Sequence, residues 1–495
     1  MSTPAAPSVS PPSVSLYRTP YGWALLVLAS CALFAWLGAG SIVNGDDAVY
    51  AWATRQMVAD GTWMDYRWYD SPLHQYYPPL HFFFTRLSVT IFGASDFAMR
   101  LPAALAGLLA IGLTGSIAAR LARSHAAGLF AGLALLSTLT FYSAARSVRM
   151  DSMFLAMAMA VYWAYLQSWT SSRWLWLVGV FAGLTYLSKS IIVVMVLAPL
   201  LIDLSWHRRD LLKTRVLWGS VLVFIAIALS WHLALWSMGA PPIPAYGNRV
   251  SSGIAGDYAF LDVVGQLLAE YSLVATLALA AGLGWLVFLS IKNKDRGARL
   301  MLMSIGICLA ILVISSTTML HYFLPLFPAL AVGLGWLLSL AVRTRPVFSP
   351  LIVVVLLGIF AQHNLASFVH PDYSPGVHTI ATKTRALSPR EPVLFFRDYS
   401  ASFDYYVDLD TLLVTESASA FALYTAHGAM RDGPGIELME EQEILKRLAT
   451  PGTAAVTTLF SADMLASYYA ALPSELQERL VIEHEGAYTL YYLPQ

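Results

Sequence analysis

The sequence predicts an α-helical polytopic membrane protein that crosses the bilayer about eleven times and closes with a small C-terminal α/β domain exposed to water. Three observations predict it. Of the 495 residues, 57% are hydrophobic and only 12% charged, whereas a soluble domain carries about a quarter charged residues. Apolar stretches of about 17 to 25 residues recur along the chain, the length a helix needs to cross about 30 Å of hydrocarbon. After Phe368 acidic residues become common, and short β-rich runs alternate with helical patterns.

Residues 1–20 are rich in Ser and Pro, with Arg18 the only charge, and read as a disordered cytoplasmic tail. The apolar run 21–43 is too long for a signal-peptide core and has no clear small-residue cleavage site before Asn44, so it reads as a retained anchor. Further spans are expected near 97–119, 126–145, 151–169, 174–188, 190–206, 216–238, 272–291, 300–316, 321–342 and 347–368. The stretch 79–92 is shorter and carries Arg86, which suits a helix lying in the interface. Residues 21–368 thus form the membrane domain, with a long external loop at 44–96, and 369–495 form the terminal domain. There, 393–396 and 454–457 read as strands, 439–448 as a helix and 487–493 as a closing strand.

Orientation follows from the short loops that collect Lys and Arg, which face the cytoplasm. Arg120 with Arg123, then Arg173, then Arg208, Arg209, Lys213 and Arg215, then Lys292, Lys294, Arg296 and Arg299, then Arg343 with Arg345 fall on alternate sides of successive spans. The N-terminus is then cytoplasmic. The loop 44–96, the segment 239–271 and everything after about His370 lie outside, in the periplasm if the membrane is a bacterial inner membrane.

Charge and cysteines narrow the function classes. Lys+Arg and Asp+Glu both total 30, so no basic surface for nucleic acid is present. Cys31 and Cys308 fall inside apolar runs and read as small packed hydrophobes rather than a bridge. No P-loop or dinucleotide fingerprint occurs, and His74 and His232 lack partners at metal-ligand spacing, so both read as structural.

The external loop opens with Asn44-Gly45-Asp46-Asp47-Ala48-Val49-Tyr50. Adjacent carboxylates at a membrane boundary mark a substrate path or form a solvated helix cap, and the residues alone leave both readings open. Asp151, at the external mouth of a span, is either a second acid or a helix-dipole partner. Arg146, Arg149, Lys189 and His321 sit at predicted external helix ends, where a cation reaches a lipid phosphate or simply snorkels to the interface. Trp63, Tyr66, Trp68, Tyr69, Tyr76 and Tyr77 crowd the loop. Such rings stack on sugars, but anchoring in the interface explains most of them.

Taken together, these pieces resemble the GT-C membrane glycosyltransferases that include protein O-mannosyltransferases and lipid A aminoarabinose transferases. The resemblance lies in Asp46-Asp47 with Tyr50, Gly61 with Trp63, Pro78-Pro79-Leu80, Phe92-Gly93 and Arg100-Leu101-Pro102, in that order. It continues in Ala145-Arg146 with Arg149-Met150-Asp151, Gly183-Leu184 with Ser188-Lys189, and His321-Tyr322-Phe323-Leu324-Pro325 with Pro328, covering most of residues 45–331.

The resemblance implies a helical bundle whose external interfacial helices roof a cavity. It also implies a hexosyl- or pentosyltransferase that moves a sugar from a polyprenyl-phosphate carrier to a lipid, glycan or protein acceptor, with inversion. Asp46 matches the family's first Asp and becomes the base or acceptor-orienting residue. Asp47 stands where many members have Glu, and Asp151 is the further catalytic acid. Arg146, Arg149, Lys189 and His321 are the carrier-phosphate candidates, and Tyr50, Tyr77 and Tyr322 line the cavity.

One departure matters. Where the aminoarabinose transferases carry Glu-Lys-Pro, this chain has Tyr76-Tyr77-Pro78, so the family's metal is not carried over. No cofactor is called, a divalent cation stays an open option, and aminoarabinose is disfavoured as the sugar. The competing reading is a multispan transporter or flippase, which should show internal repeats and ionisable groups near the bilayer midplane; neither is clear. A third reading, an envelope scaffold or receptor, has only the terminal domain in its favour.

Overall fold

Helices form where the sequence is apolar and stop where it supplies a cap or a breaker. The computed structural model describes residues 16–69, 71–241, 265, 268, 271–314, 320–369, 372, 374–389, 392–396, 400–415, 435–458 and 461–494. The chain runs through α1 (Pro20–Phe34), α2 (Asp46–Ala59), α3 (Leu80–Phe92), α4 (Asp96–Ala122), α5 (His125–Leu136) and α6 (Leu139–Ala145). It continues with α7 (Asp151–Ser168), α8 (Leu175–Lys189), α9 (Val194–His207), α10 (Arg215–Ser237), α11 (Leu273–Lys292), α12 (Arg296–Ile314), α13 (Phe327–Thr344) and α14 (Phe348–Val369). Thr19, Ser95, Thr214 and Ser272 cap α1, α4, α10 and α11 by accepting from the backbone N–H three residues on. Gly93, at φ 82°, ends α3 in a conformation other residues avoid.

Seven segments among the described residues are long and apolar enough to cross a membrane, or eight if α5 and α6, bent by 79°, form one broken span. The expected count of about eleven is larger for identifiable reasons. The two spans predicted at 174–188 and 190–206 fall in one apolar 36-residue stretch, Ser172–His207, but Ser190, at φ 55°, breaks it into α8 and α9, and Trp174 and Asp203 at its two ends both return to the end of α7, at Trp163 and Tyr165. Helix α1 has only 15 residues. Helix α7 is enclosed by protein along most of its length, so it does not need the apolarity that lipid contact demands. The segment 79–92, expected in the interface, is the 13-residue α3.

The end of the expected disordered tail is ordered: Leu16–Arg18 form a 3-10 turn, and Leu16 is buried between α4 and α5. Residues 1–15 lie outside the described residues, as does most of the expected external segment 239–271. Close helix contact requires glycine at particular points. A Cβ on Gly115 would lie 2.9 Å from the Gly128 carbonyl oxygen, so the α4–α5 crossing depends on both.

Cationic loops gather at one end of the bundle. Arg120 donates to Gln167 Oε1 at 2.7 Å and to the Leu166 carbonyl at 3.0 Å, and Arg343 donates to the Ala122 carbonyl. Buried Asp203 is held there by Arg296 through bonds of 2.6 to 3.1 Å and by the Tyr165 hydroxyl at 2.7 Å. A buried carboxylate is tolerable only with partners of this kind.

The terminal domain is a six-stranded sheet in the order β3-β2-β1-β4-β6-β5, from β1 (Val393–Phe396), β2 (Thr411–Thr415), β3 (Gly435–Leu438), β4 (Ala454–Thr458), β5 (Val481–Glu485) and β6 (Tyr488–Tyr492). Strands β3, β2, β1 and β4 are parallel, and β6 and β5 add antiparallel. All four residues of β1 are buried, as expected of a parallel strand covered on both faces. Helices α15 (Val377–Ala386), α16 (Ala401–Val407), α17 (Glu441–Leu448), α18 (Ala462–Ala470) and α19 (Ser474–Gln477) complete it. The strands expected at 393–396, 454–457 and 487–493 are β1, β4 and β6, and the expected helix is α17.

This domain does not stand apart. Phe395, Phe403, Val456 and Leu490 share one apolar cluster with Tyr66, Trp68 and Phe82 of the loop 44–96. Tyr66 and Trp68, assigned to the membrane interface on composition, are instead fully buried in that joint. Aromatic residues satisfy either environment, so composition alone did not separate the two.

Candidate active site

Between the end of α1 and Asp46 the chain has to reverse out of the bundle, and two buried arginines hold that turn. Arg146 donates through Nη1 to the carbonyls of Ala32, Leu33 and Ala35 at 2.9 to 3.0 Å. These are carbonyls at the end of α1 that lack helical partners, so Arg146 serves as its C-terminal cap. Arg100 takes the next stretch, donating to the carbonyls of Leu37, Ala39, Gly40 and Ser41 at 2.6 to 3.3 Å. Trp36, Gly40 and Gly45 all adopt positive φ along this turn. Gly45, at φ 96° and ψ −139°, occupies a region closed to residues with a Cβ and places Asp46 at the start of α2.

The terminal domain grips the same turn from the other side. The Tyr406 hydroxyl donates to Asp96 Oδ2 at 2.7 Å and accepts from the Ile42 N–H at 2.7 Å. Asp372 Oδ1 accepts from the Ser41 N–H at 3.1 Å, and Arg55 donates to the Tyr405 carbonyl at 2.8 Å while pairing with Asp408 at 3.0 Å. Nothing in the sequence near Asp46 announces these partners.

Asp46 and Asp47 form the first turn of α2 but meet different environments. Asp46 is exposed. Asp47 is 4% exposed, accepts from the Val148 backbone N–H, and its Oδ1 has no hydrogen-bond partner among the described residues. Burial pushes its carboxyl up to about 7, against the pull of Arg149 and with a further push from Asp46. One turn on, Tyr50 is ringed by Tyr77, Phe82 and His81, with centroids at 5.3, 5.4 and 6.1 Å.

Asp151, 3% exposed, starts α7 and faces this group. Lys189 Nζ lies 2.5 Å from its Oδ1 and Arg149 Nε 3.4 Å from its Oδ2. Lys189 reaches that position because Ser190, at φ 55°, breaks the helix directly after it. Its ammonium lies 4.7 Å from the Tyr322 ring centroid, and the His321 ring packs on Tyr322 at 4.4 Å. Arg149 is the link, acting electrostatically on Asp151, Asp47 and Asp46 together.

The structure therefore brings together Asp46, Asp47, Tyr50, Tyr77, Arg149, Asp151, Lys189, His321 and Tyr322. Arg146, predicted to bind phosphate, spends its Nη1 on α1 carbonyls. Sequence reasoning also passed over His81. It is fully buried beside Tyr50 and within electrostatic reach of Asp151, and neither ring nitrogen has a partner among the described residues. No group of three or more His, Cys, Asp or Glu residues placed to hold a metal ion occurs among the described residues. His232, read as structural, bonds the Tyr186 hydroxyl at 2.8 Å through Nε2.

Asp47 gives a pH-dependent prediction. Its folded carboxyl titrates near 7 and the unfolded one near 4, so folding favours the protonated form. The associated stability is present below about pH 4 and is lost as pH rises through about 7. In thermal melts from about pH 5 to 8, Asp47→Asn should gain on wild type as pH rises. Parallel curves would show that the fold holds Asp47 charged throughout.

A family model described as dolichyl-phosphate-mannose-protein mannosyltransferase matches residues 76–234. The undecaprenyl phosphate-alpha-4-amino-4-deoxy-L-arabinose arabinosyl transferase of Yersinia pestis (strain Pestoides F) is 28% identical over 205 residues, which are 38% of this chain. A second such enzyme, from Proteus mirabilis (strain HI4320), is 25% identical over 204 residues. The chain spans 35% of the length of these curated relatives.

Among solved structures, ArnT from Cupriavidus metallidurans bound to undecaprenyl phosphate matches with a TM-score of 0.66 at 20% identity, over 96% of this chain and 98% of that one. The apo oligosaccharyltransferase of Archaeoglobus fulgidus matches with a TM-score of 0.58 at 12% identity, over 97% and 75%. These likenesses show the fold: a multi-pass helical membrane domain joined to a soluble α/β domain.

Proposed function

From the premise of a GT-C-type membrane fold related to the aminoarabinose and protein mannosyl transferases, we propose that this chain is a polyprenyl-phosphate-sugar-dependent glycosyltransferase. It moves a sugar to a lipid, glycan or protein acceptor at the external face of the membrane, with inversion at the anomeric carbon. One observation carries the reading. The Asp46–Asp47 pair and the Arg149–Asp151–Lys189 cluster, distant in sequence, meet around Tyr50 at one end of α7, while Arg120 and its loop contact the other end.

The reaction needs a base for the acceptor proton, alignment of two substrates, and cations for the departing phosphate. Asp46, the open member of the pair, takes the proton from the acceptor hydroxyl or amine as that atom bonds the anomeric carbon. The bond from carbon to phosphate oxygen breaks on the opposite face, and the electron pair leaves with the polyprenyl phosphate. Lys189 and Arg149, with His321 beside them, receive the phosphate, and Asp151 fixes their positions. Tyr50, Tyr77 and Tyr322 line the space between. Eleven helices cross the membrane in this reading, α5 with α6 counting as one, with the cationic loops and the N-terminus cytoplasmic and the α/β domain outside.

Purified protein in liposomes, given radiolabelled sugars on polyprenyl phosphate and an envelope extract, is expected to transfer label to the extract. If no label moves from any carrier while carrier or solute crosses the bilayer, the transferase reading is wrong and a transporter takes its place.

A further inference from the structure

We infer that His81 reads a hydroxyl group of the transferred sugar, one that can both donate and accept a hydrogen bond. The inference rests on the transferase reading and goes beyond it by assigning a residue and the group it reads.

The starting observation is an unmet demand. His81 is 0% exposed, yet Nδ1 and Nε2 both lack a hydrogen-bond partner among the described residues. An imidazole left in that state bears the desolvation cost of each buried polar atom with no hydrogen bond to offset it. A core histidine normally escapes that cost through a carbonyl or hydroxyl neighbour; the rings nearest this one are Tyr50 at 6.1 Å and Phe82 at 5.6 Å.

Its location says what would satisfy it. His81 stands in the first turn of α3, directly after Pro78-Pro79-Leu80, and Pro79 precedes the helix in helical geometry. That start fixes the side chain beside Tyr50, whose ring also faces Tyr77 and whose hydroxyl feels Asp46 and Asp151. Asp151 acts on His81 as well. The imidazole thus stands on the aromatic side of the site, against Tyr50 and within electrostatic reach of Asp151, and a sugar held beside Tyr50 is the ligand that can meet it.

The ring's charge decides the chemistry. Burial pushes His81 down to about 4, so at neutral pH it is an uncharged imidazole with one donor and one acceptor. A phosphate offers acceptors only and an ammonium donors only; either would leave one nitrogen unmet. Sugar hydroxyls offer both, and the flanking tyrosine and phenylalanine supply apolar edges suited to a pyranose or furanose face.

The test measures binding of undecaprenyl phosphate, bare or carrying mannose, glucose, galactose or 4-amino-4-deoxyarabinose, to the full chain in nanodiscs. Wild type should bind at least one sugar-charged carrier more tightly than bare carrier. His81→Phe should erase that preference by at least tenfold while binding bare carrier as wild type does. His81→Gln, which keeps one donor and one acceptor, should restore part of it. The inference is overturned if His81→Phe keeps the preference, if it weakens bare and charged carrier equally, or if wild type does not distinguish them. Wild type that binds no carrier in any form overturns the transferase reading as well.

Discussion

Replacing Asp46 with Asn is expected to lower sugar transfer by about two to four orders of magnitude, the usual contribution of a positioned general base. Carrier binding should be unchanged. Asn keeps the size of the side chain and its ability to accept at the start of α2, so the backbone at Gly45 has no reason to move. Asp46 is exposed where its neighbour Asp47 is enclosed by Val148 and Arg149. The loss should therefore appear in kcat and in kcat/KM equally, with the affinity for bare polyprenyl phosphate intact. Single-turnover kinetics on the purified variant separate these quantities. A rise in KM at unchanged kcat would make Asp46 a binding residue, and the base would then have to be sought at Asp47, whose carboxyl already titrates near neutrality.

The membrane domain was legible because lipid imposes a length and an apolarity that the sequence must display locally: each predicted run contains a helix, and fewer than eleven are long and apolar enough on their own where a helix is short or wrapped in protein. The acidic pair was legible for a similar reason, since Gly45-Asp46 is a local requirement of one turn. Arg146 was not, because its position in the sequence says that a cation stands at a helix end and nothing about which way it turns. Its acceptors, the carbonyls at the end of α1, are more than a hundred residues earlier. The same holds for the grip of Tyr406 on Asp96 and Ile42, a contact across 310 and 364 residues. His81 was passed over because a histidine in an aromatic stretch looks like packing until its missing partners are seen.

Lys189 carries the other large effect, and a pair of variants divides it into structure and function. Lys189→Met leaves Asp151, 3% exposed, with the 3.4 Å contact from Arg149 as its remaining ion pair among the described residues and the field of His321 beside it. A buried carboxylate stripped of its main partner destabilises a fold by about 3 to 5 kcal/mol, so the melting temperature should fall sharply and carrier binding with it. That result alone would not distinguish a phosphate ligand from a structural ion pair. Asp151→Asn combined with Lys189→Met removes both charges, so the melting temperature should return most of the way to wild type. Binding of bare undecaprenyl phosphate should not return: with only Arg149 and His321 left near the leaving group, it should stay at least about tenfold weaker, the loss of roughly one charge-assisted bond. If the double variant binds the carrier as wild type does, Lys189 serves Asp151 and nothing else. The phosphate would then rest on Arg149, the guanidinium that already acts on the acids of both α2 and α7.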